Sequence, residues 1–435
     1  MRILNILTAV LLGSAAGAEM PAPVTDADYA PLDMAQVRLG QMLFYDPILS
    51  GNRNISCATC HHPKFATADG VALSIGEGGV GLGPERRAGA ENPPEQRIPR
   101  NAPALFNLGA HEFTVMFHDG RIEVDATKPG GLRTPMGAEM TQGFANLLSA
   151  QTMFPVLSAD EMAGHYSEND ISQAVRQGRI TGPEGAWAKL SARVSGTPGY
   201  APLIAEAFPD GQTLSFTDIS DAIATFVAFE WRSDTSLFDA YLRGQATLPA
   251  DAGRGMDLFY GAAGCSICHA GAFQTDHGFH AMGVPQFGPG KAARFESHAR
   301  DTGRMRVTGR AEDAYAFRTP SLRNVVHTGP YGHTGSHADL ARFIAEHADP
   351  AAALGRFDPA RVALAEMPGV DDWRHINDPA EQAALRAAIT IMPVSLSKAD
   401  VDALVAFLSS LSDTVALKGR LGVPDAVPSG LPVDR

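Results

Sequence analysis

Cys57-Ala58-Thr59-Cys60-His61 recurs as Cys265-Ser266-Ile267-Cys268-His269, and this pair constrains the fold more than any other feature of the chain. C-x-x-C-H is the pattern of covalent c-type haem attachment. Each thiol adds to one haem vinyl group as a thioether, and the two intervening residues let one turn present both sulfurs to one porphyrin edge. The histidine follows at once, so its imidazole can bind the iron as the proximal ligand. C-x-x-C also marks zinc sites and redox dithiols. All four cysteines, however, lie in these two motifs, and no further Cys or His pair stands at zinc spacing. The sequence therefore reads as two haem c groups, on Cys57, Cys60 and His61 and on Cys265, Cys268 and His269.

A second repeat surrounds the first. Gly40-Gln41-Met42-Leu43-Phe44-Tyr45 precedes one motif and Gly255-Met256-Asp257-Leu258-Phe259-Tyr260 the other, both G-x-x-L-F-Y. Phe65 and Phe273 each follow the motif histidine by four residues. Shared order and spacing point to duplication of a cytochrome c-like unit. The expected fold is mainly α, with two cytochrome c-like haem domains and long loops. The predicted divisions are a signal peptide over 1–18, an N-terminal domain over 19–245, a C-terminal domain over 246–415 and an irregular tail over 416–435.

The signal rests on Arg2, the apolar run Ile3 to Leu12 and the small residues Ala16-Gly17-Ala18. That run is too short to span a membrane, and no later stretch approaches spanning length. The expectation is a soluble, exported protein. A net charge of −13 argues against nucleic acid and anionic lipid as partners. Apolar periodicity predicts a helix from Thr213 through Ile219, Ile223, Phe226 and Val227, another stretch at Leu237 to Leu242, and a closing helix from Ser397 to Leu411. Ser397 with Asp400 forms a capping-box pattern. Residues 74–99 and 122–146, rich in Gly and Pro, read as loops.

Several further stretches carry a family likeness: Leu43-Phe44-Tyr45-Asp46-Pro47, Arg100-Asn101-Ala102-Pro103, Asp119-Gly120-Arg121, the run Phe317 to Val325, and Tyr331-Gly332-His333. Together they make the chain resemble the bacterial di-haem cytochrome c peroxidases and the related MauG group of protein-oxidising enzymes. The resemblance implies a peroxidatic first haem and an electron-transfer second haem. It also implies a distal glutamine, a proline four residues on and a glutamate ten residues on; Gln151, Pro155 and Glu161 stand at those spacings. A carboxylate beside the iron can move the peroxide proton, and an amide can orient the oxidant.

The peroxidases commonly place a movable histidine in the loop before Arg-Asn-Ala-Pro, whereas no histidine occurs here between Pro63 and Asn101. The first haem is thus expected to be five-coordinate and open, as in MauG. The resemblance places the distal ligand of the second haem fourteen residues past the histidine of Tyr-x-His, which is His347; His337 is the competitor. His118 occupies the place of the relatives' inter-haem tryptophan, and Asn101, Thr328 and Pro330 match their calcium ligands.

The expected activity is reduction of hydrogen peroxide at the first haem, coupled through the second to oxidation of a protein donor. The alternatives are MauG-like oxidation of a partner's side chain and a non-catalytic di-haem electron carrier. Export implies the periplasm.

Overall fold

A computed structural model describes residues 20–165, 167–291 and 300–435. The expected signal peptide lies outside the described residues. The main helices are α1 (Met34–Tyr45), α2 (Leu147–Gln151), α3 (Ala186–Ser195), α4 (Phe216–Glu230) and α5 (Leu237–Leu242) in the N-terminal half. α6 (Ala250–Phe259), α7 (Leu340–His347), α8 (Pro379–Ala388), α9 (Lys398–Ser409) and α10 (Thr414–Lys418) follow. Among the described residues, no helix is long and apolar enough to cross a membrane.

The helix starts are written in local chemistry. Ser215 with Asp218, Ser236 with Asp239, and Ser397 with Asp400 close capping boxes at α4, α5 and α9. Each satisfies backbone donors that would otherwise be orphaned at a helix start. Asp239 has a second task, because its carboxylate accepts from Arg323 at 2.7 Å with both side chains fully buried.

The repeated G-x-x-L-F-Y hexapeptides are helix crossings. A Cβ on Gly40 would fall 1.9 Å from the carbonyl oxygen of Ala222, and one on Gly255 would fall 1.9 Å from that of Ala403. Only glycine lets α1 approach α4, and α6 approach α9, that closely. The partner helices repeat too: Phe226 lies four residues after Ala222, and Phe407 four after Ala403. Phe44 meets Phe226 at 5.4 Å between ring centroids, and Phe259 meets Phe407 at 5.1 Å. Around these crossings form two apolar cores, one holding Trp231 and Tyr200 and the other Phe238 and Leu411.

Three stretches depart from expectation. Residues 122–146 are not only loop: Val115–Met116, Ile122–Val124 and Leu132–Arg133 form a three-stranded antiparallel sheet. In the 74–99 loop, Gly79–Val80 pairs with Arg87–Ala88. Strands of two or three residues are too short to show alternation in sequence. The tail is also more ordered than expected, since α10 enters it and Ala416 and Val427 are buried in the N-terminal core. Glu230 accepts from the N–H groups of Leu421 and Gly422, both at 2.7 Å, and Ser429 donates to Asp46 at 2.7 Å. The chain end thus returns to the first half.

The Phe65/Phe273 correspondence does not extend to packing. Phe273 is buried against Tyr29 and Phe113 of the N-terminal half, while Phe65 lies next to His62. Finally, the segment between α7 and α9 folds back over residues 68–100. Ala72 N–H donates to Ala363 O at 2.8 Å, and Arg97 pairs with Asp372 at 2.9 Å.

Candidate haem sites

The first motif is one helical turn, Cys57–Cys60, capped by Ser56 and Thr59. Asp434, next to the chain end, accepts from Thr59 Oγ at 2.5 Å. His61 follows with Nδ1 2.9 Å from Thr67 O, and His269 repeats the arrangement with Nδ1 3.1 Å from Gln274 O. A ring that donates from Nδ1 keeps the Nε2 lone pair for a metal, and the carbonyl fixes its orientation. Burial lowers the pKa of both imidazoles, which favours the neutral, ligating form. His62 is turned away, with its nitrogens at Lys64 N and Asp434 O.

A cavity of about 200 Å³ opens beside His61. Cys57, Cys60 and His61 line it, and so do Gln151, Pro155 and Glu161. Its remaining wall is largely apolar, with Phe44, Leu105, Leu148 and Val227 among the lining groups. Thiols, an imidazole and apolar walls suit a covalently held macrocycle. Gln151 ends α2, and its buried Oε1 has no hydrogen-bond partner among the described residues.

Glu161 sits on a π-helical turn, Ala159–Ala163, begun by Ser158, whose Oγ accepts from Glu161 N–H at 3.3 Å. Such single π turns concentrate at functional sites because they re-aim one side chain. The 74–79 loop braces it from outside, with Glu77 N–H shared between the carbonyls of Asp160 and Glu161. Burial pushes the Glu161 carboxyl up, while Arg121 and Lys291 act to lower it.

The two polar motifs explain themselves at this cavity. Arg100 grips Asp301 through Nε and Nη2 at 2.6 and 2.7 Å and reaches Asp119 at 2.8 Å, so one guanidinium ties three segments and both halves. Burial alone would raise the Asp119 carboxyl, but Arg100 and Arg121 hold it down at about 2. Arg121 lies 3.5 Å from the centroid of Phe117, which adopts a φ of +66°. A bulky residue in that region is an outlier, of the kind found where a site must be held in shape. His118 lines the same cavity with Nε2 3.2 Å from Asn101 O. Burial, then Arg100, lowers its pKa to about 4, so the ring is neutral at physiological pH.

At the second motif the two rival histidines are plainly different. His337 has both ring nitrogens engaged, Nδ1 with Ser336 Oγ at 2.7 Å and Nε2 with the Glu346 carboxylate. His347 closes α7, stacked edge-on to Phe343 at 5.0 Å, and no hydrogen bond holds it among the described residues. Burial lowers its pKa to about 3, and the next cause is the neighbouring His269. His347 thus stands near the proximal ring with its nitrogens uncommitted. Met392, a sulfur alternative, is 80% exposed.

Asn101, Thr328 and Pro330 are not joined by any hydrogen bond among the described residues. The Asn101 amide donates to Val71 O and Ala72 O at 2.8 and 3.3 Å, and its N–H to His333 O. Among the described residues, one group of side chains able to ligate a metal lies close together, Cys268, Asp276 and His280, and it includes a thiol of the second motif.

Comparison with known proteins decides the family. The family described as "Di-haem cytochrome c peroxidase" matches residues 34–247. "Methylamine utilization protein MauG" of Methylorubrum extorquens is 31% identical over 313 residues, 71% of this chain and 67% of that protein. The chain belongs to the di-haem cytochrome c peroxidase family. "Cytochrome c551 peroxidase" of Pseudomonas aeruginosa is 29% identical over 328 residues, 75% of each chain. Among solved structures, a MauG-like protein associated with microbial copper homeostasis superposes with a TM-score of 0.57, at 25% identity, over 94% of this chain and 97% of its own.

Membership in the di-haem peroxidases brings two c-type haems and oxidoreductase chemistry. Sequence reading missed Arg121 and Lys291 as neighbours of Glu161. Asp-Gly-Arg was visible as a motif, but nothing in the sequence around Lys291 ties it to residue 161.

Proposed function

We propose that this protein is a periplasmic di-haem c-type peroxidase, reducing hydrogen peroxide in the cavity beside His61 with electrons from a protein donor through the His269 site. The convergence of Gln151, Pro155 and Glu161 with Cys57, Cys60 and His61 on one cavity carries this reading. Haem held by Cys57, Cys60 and His61 would supply the redox chemistry for peroxide reduction. Conversion of one peroxide to two waters takes two electrons and two protons.

Glu161 takes the proton of the inner oxygen and returns one to the outer oxygen as water leaves. A carboxyl lifted by burial holds that proton closer to neutral pH, and Arg121 and Lys291 keep it able to let go. Gln151 offers its uncommitted Oε1 as an acceptor that orients the oxidant. Pro155 brings no N–H of its own, so it limits space without competing for the peroxide. His269 and His347 would together hold the iron of the second haem. Two imidazoles favour the ferric state there, so the cycle starts from oxidised protein. His118, neutral and hydrogen-bonded to a carbonyl, serves as packed medium for tunnelling between the sites.

MauG-like oxidation of a partner's side chain is the second reading, favoured by the lack of any histidine between Pro63 and Asn101. It shares the peroxide half of the chemistry and differs in the electron source. A non-catalytic carrier would need both irons closed, and Gln151 and Glu161 offer no ligand that closes the first. We also propose one calcium ion held by Asn101, Thr328 and Pro330, export by residues 1–18, and an origin of the two halves by duplication. The last is supported by the matched Gly40 and Gly255 crossings.

Stopped-flow mixing of the fully ferric protein with peroxide tests the central step. The expected result is a single fast Soret change without prior reduction. No change until one electron has been added contradicts an open first haem.

A further inference from the structure

Of the described residues that line the cavity beside His61, Lys291 alone comes from beyond residue 246. Its approach is fixed by the C-terminal half. Gly288 N–H donates to Asp372 O at 2.7 Å, and Asp372 itself pairs with the buried Arg97 of the first half. Phe287 packs on Trp373 at 5.4 Å and against Ala72 and Leu73. The arm that carries Lys291 is therefore clamped onto the N-terminal loop.

The three cations at this cavity are not equivalent. Arg100 is saturated by Asp301 and Asp119. Arg121 is shared with Asp119 at 3.4 Å and covered by the Phe117 ring. Lys291 has no salt bridge or hydrogen bond among the described residues, yet its ammonium senses Arg121, Arg100, Asp119 and Asp301, and Glu161 senses it. A cation set back from solvent with no partner of its own is costly unless an anion comes to it.

Building on the peroxidase reading, we propose that Lys291 is an anion-recognising residue of the peroxide pocket, so that the pocket favours its oxidant as the hydroperoxide anion. The proton that becomes the ammonium's hydrogen bond stays on Lys291; the proton lost by the peroxide goes to Glu161. Burial, with Arg121 and Arg100, brings the Lys291 pKa down to about 8 against the pull of Asp119 and Asp301, so the charge is still present at neutral pH. The same chemistry would suit the carboxylates of the haem itself, and the experiment separates the two sources.

Azide, an anion, and nitric oxide, a neutral ligand, are titrated against the ferric first haem of the holoprotein by absorption at pH 7. Wild type, Lys291→Met and Lys291→Arg are compared. The expected result is azide binding weaker by about tenfold or more in Lys291→Met, the size of one lost charge-assisted contact. Nitric oxide binding stays unchanged, and Lys291→Arg remains within about threefold of wild type. Unchanged azide affinity in Lys291→Met overturns this proposal alone. So does a parallel loss for both ligands with an altered spectrum of the unliganded haem, which assigns Lys291 to the haem carboxylates. A wild-type ferric protein that binds neither ligand overturns the peroxidase reading, and this proposal with it.

Discussion

The two motif regions share a scaffold down to single atoms. In each, a glycine lets one helix meet the carbonyl of an alanine on another, a phenylalanine four residues on packs the crossing, and the motif histidine hands Nδ1 to a backbone carbonyl. They part company in what approaches the histidine. Near His61 come an amide, a carboxyl on a π turn and three cations, none of them a strong iron ligand. Near His269 comes His347, an uncommitted imidazole at a helix end. One scaffold thus carries two different sets of side chains, and the proposed division of tasks rests on that difference.

The comparison breaks most completely at His347. A His347→Ala variant should convert the low-spin ferric signal of the second haem wholly to high-spin, measured by electron paramagnetic resonance. His337→Ala should leave that signal low-spin, because His337 is already committed to Ser336 and Glu346. Survival of the low-spin signal in His347→Ala would place the ligand elsewhere.

At the first site the matching change is Glu161→Gln, which keeps size and removes the base. Removing one acid–base group costs roughly 10²–10⁴-fold in rate. The rate of the Soret change on peroxide addition should fall by that factor, with the second haem's spectrum intact. A variant within about threefold of wild type would take Glu161 out of the mechanism.

The shared scaffold can be sharpened by a smaller effect. Gly40→Val and Gly255→Val both drive a side chain into a helix crossing, an overpacking that costs about 1–3 kcal/mol or more. Denaturant unfolding of the holoprotein should show similar losses for the two. One loss near zero beside one large loss would mean that the crossings are alike in geometry only.

Much of this was legible in the chain. The haem motifs, the G-x-x-L-F-Y repeat, α4, α5 and the capped α9 follow from patterns spanning neighbouring residues, where backbone geometry is set locally. Gln151, Pro155 and Glu161 were placed by spacing from relatives, and the structure brings them onto one cavity with His61. What stayed hidden depends on long-range contact. The Ala-x-x-x-Phe partner of each glycine lies more than 140 residues away in sequence. Lys291 reaches the pocket through an arm held by Asp372 and Arg97, three positions that share no local signal. The docking of Asp434 on Thr59 similarly joins two chain regions with no periodicity between them.

The proposed function requires one open iron and one closed one. Electron paramagnetic resonance of the as-isolated, fully ferric wild-type protein reads both at once. One high-spin and one low-spin haem in equal amounts is the predicted spectrum. Two low-spin haems would contradict it, since no open position would remain for peroxide beside Glu161.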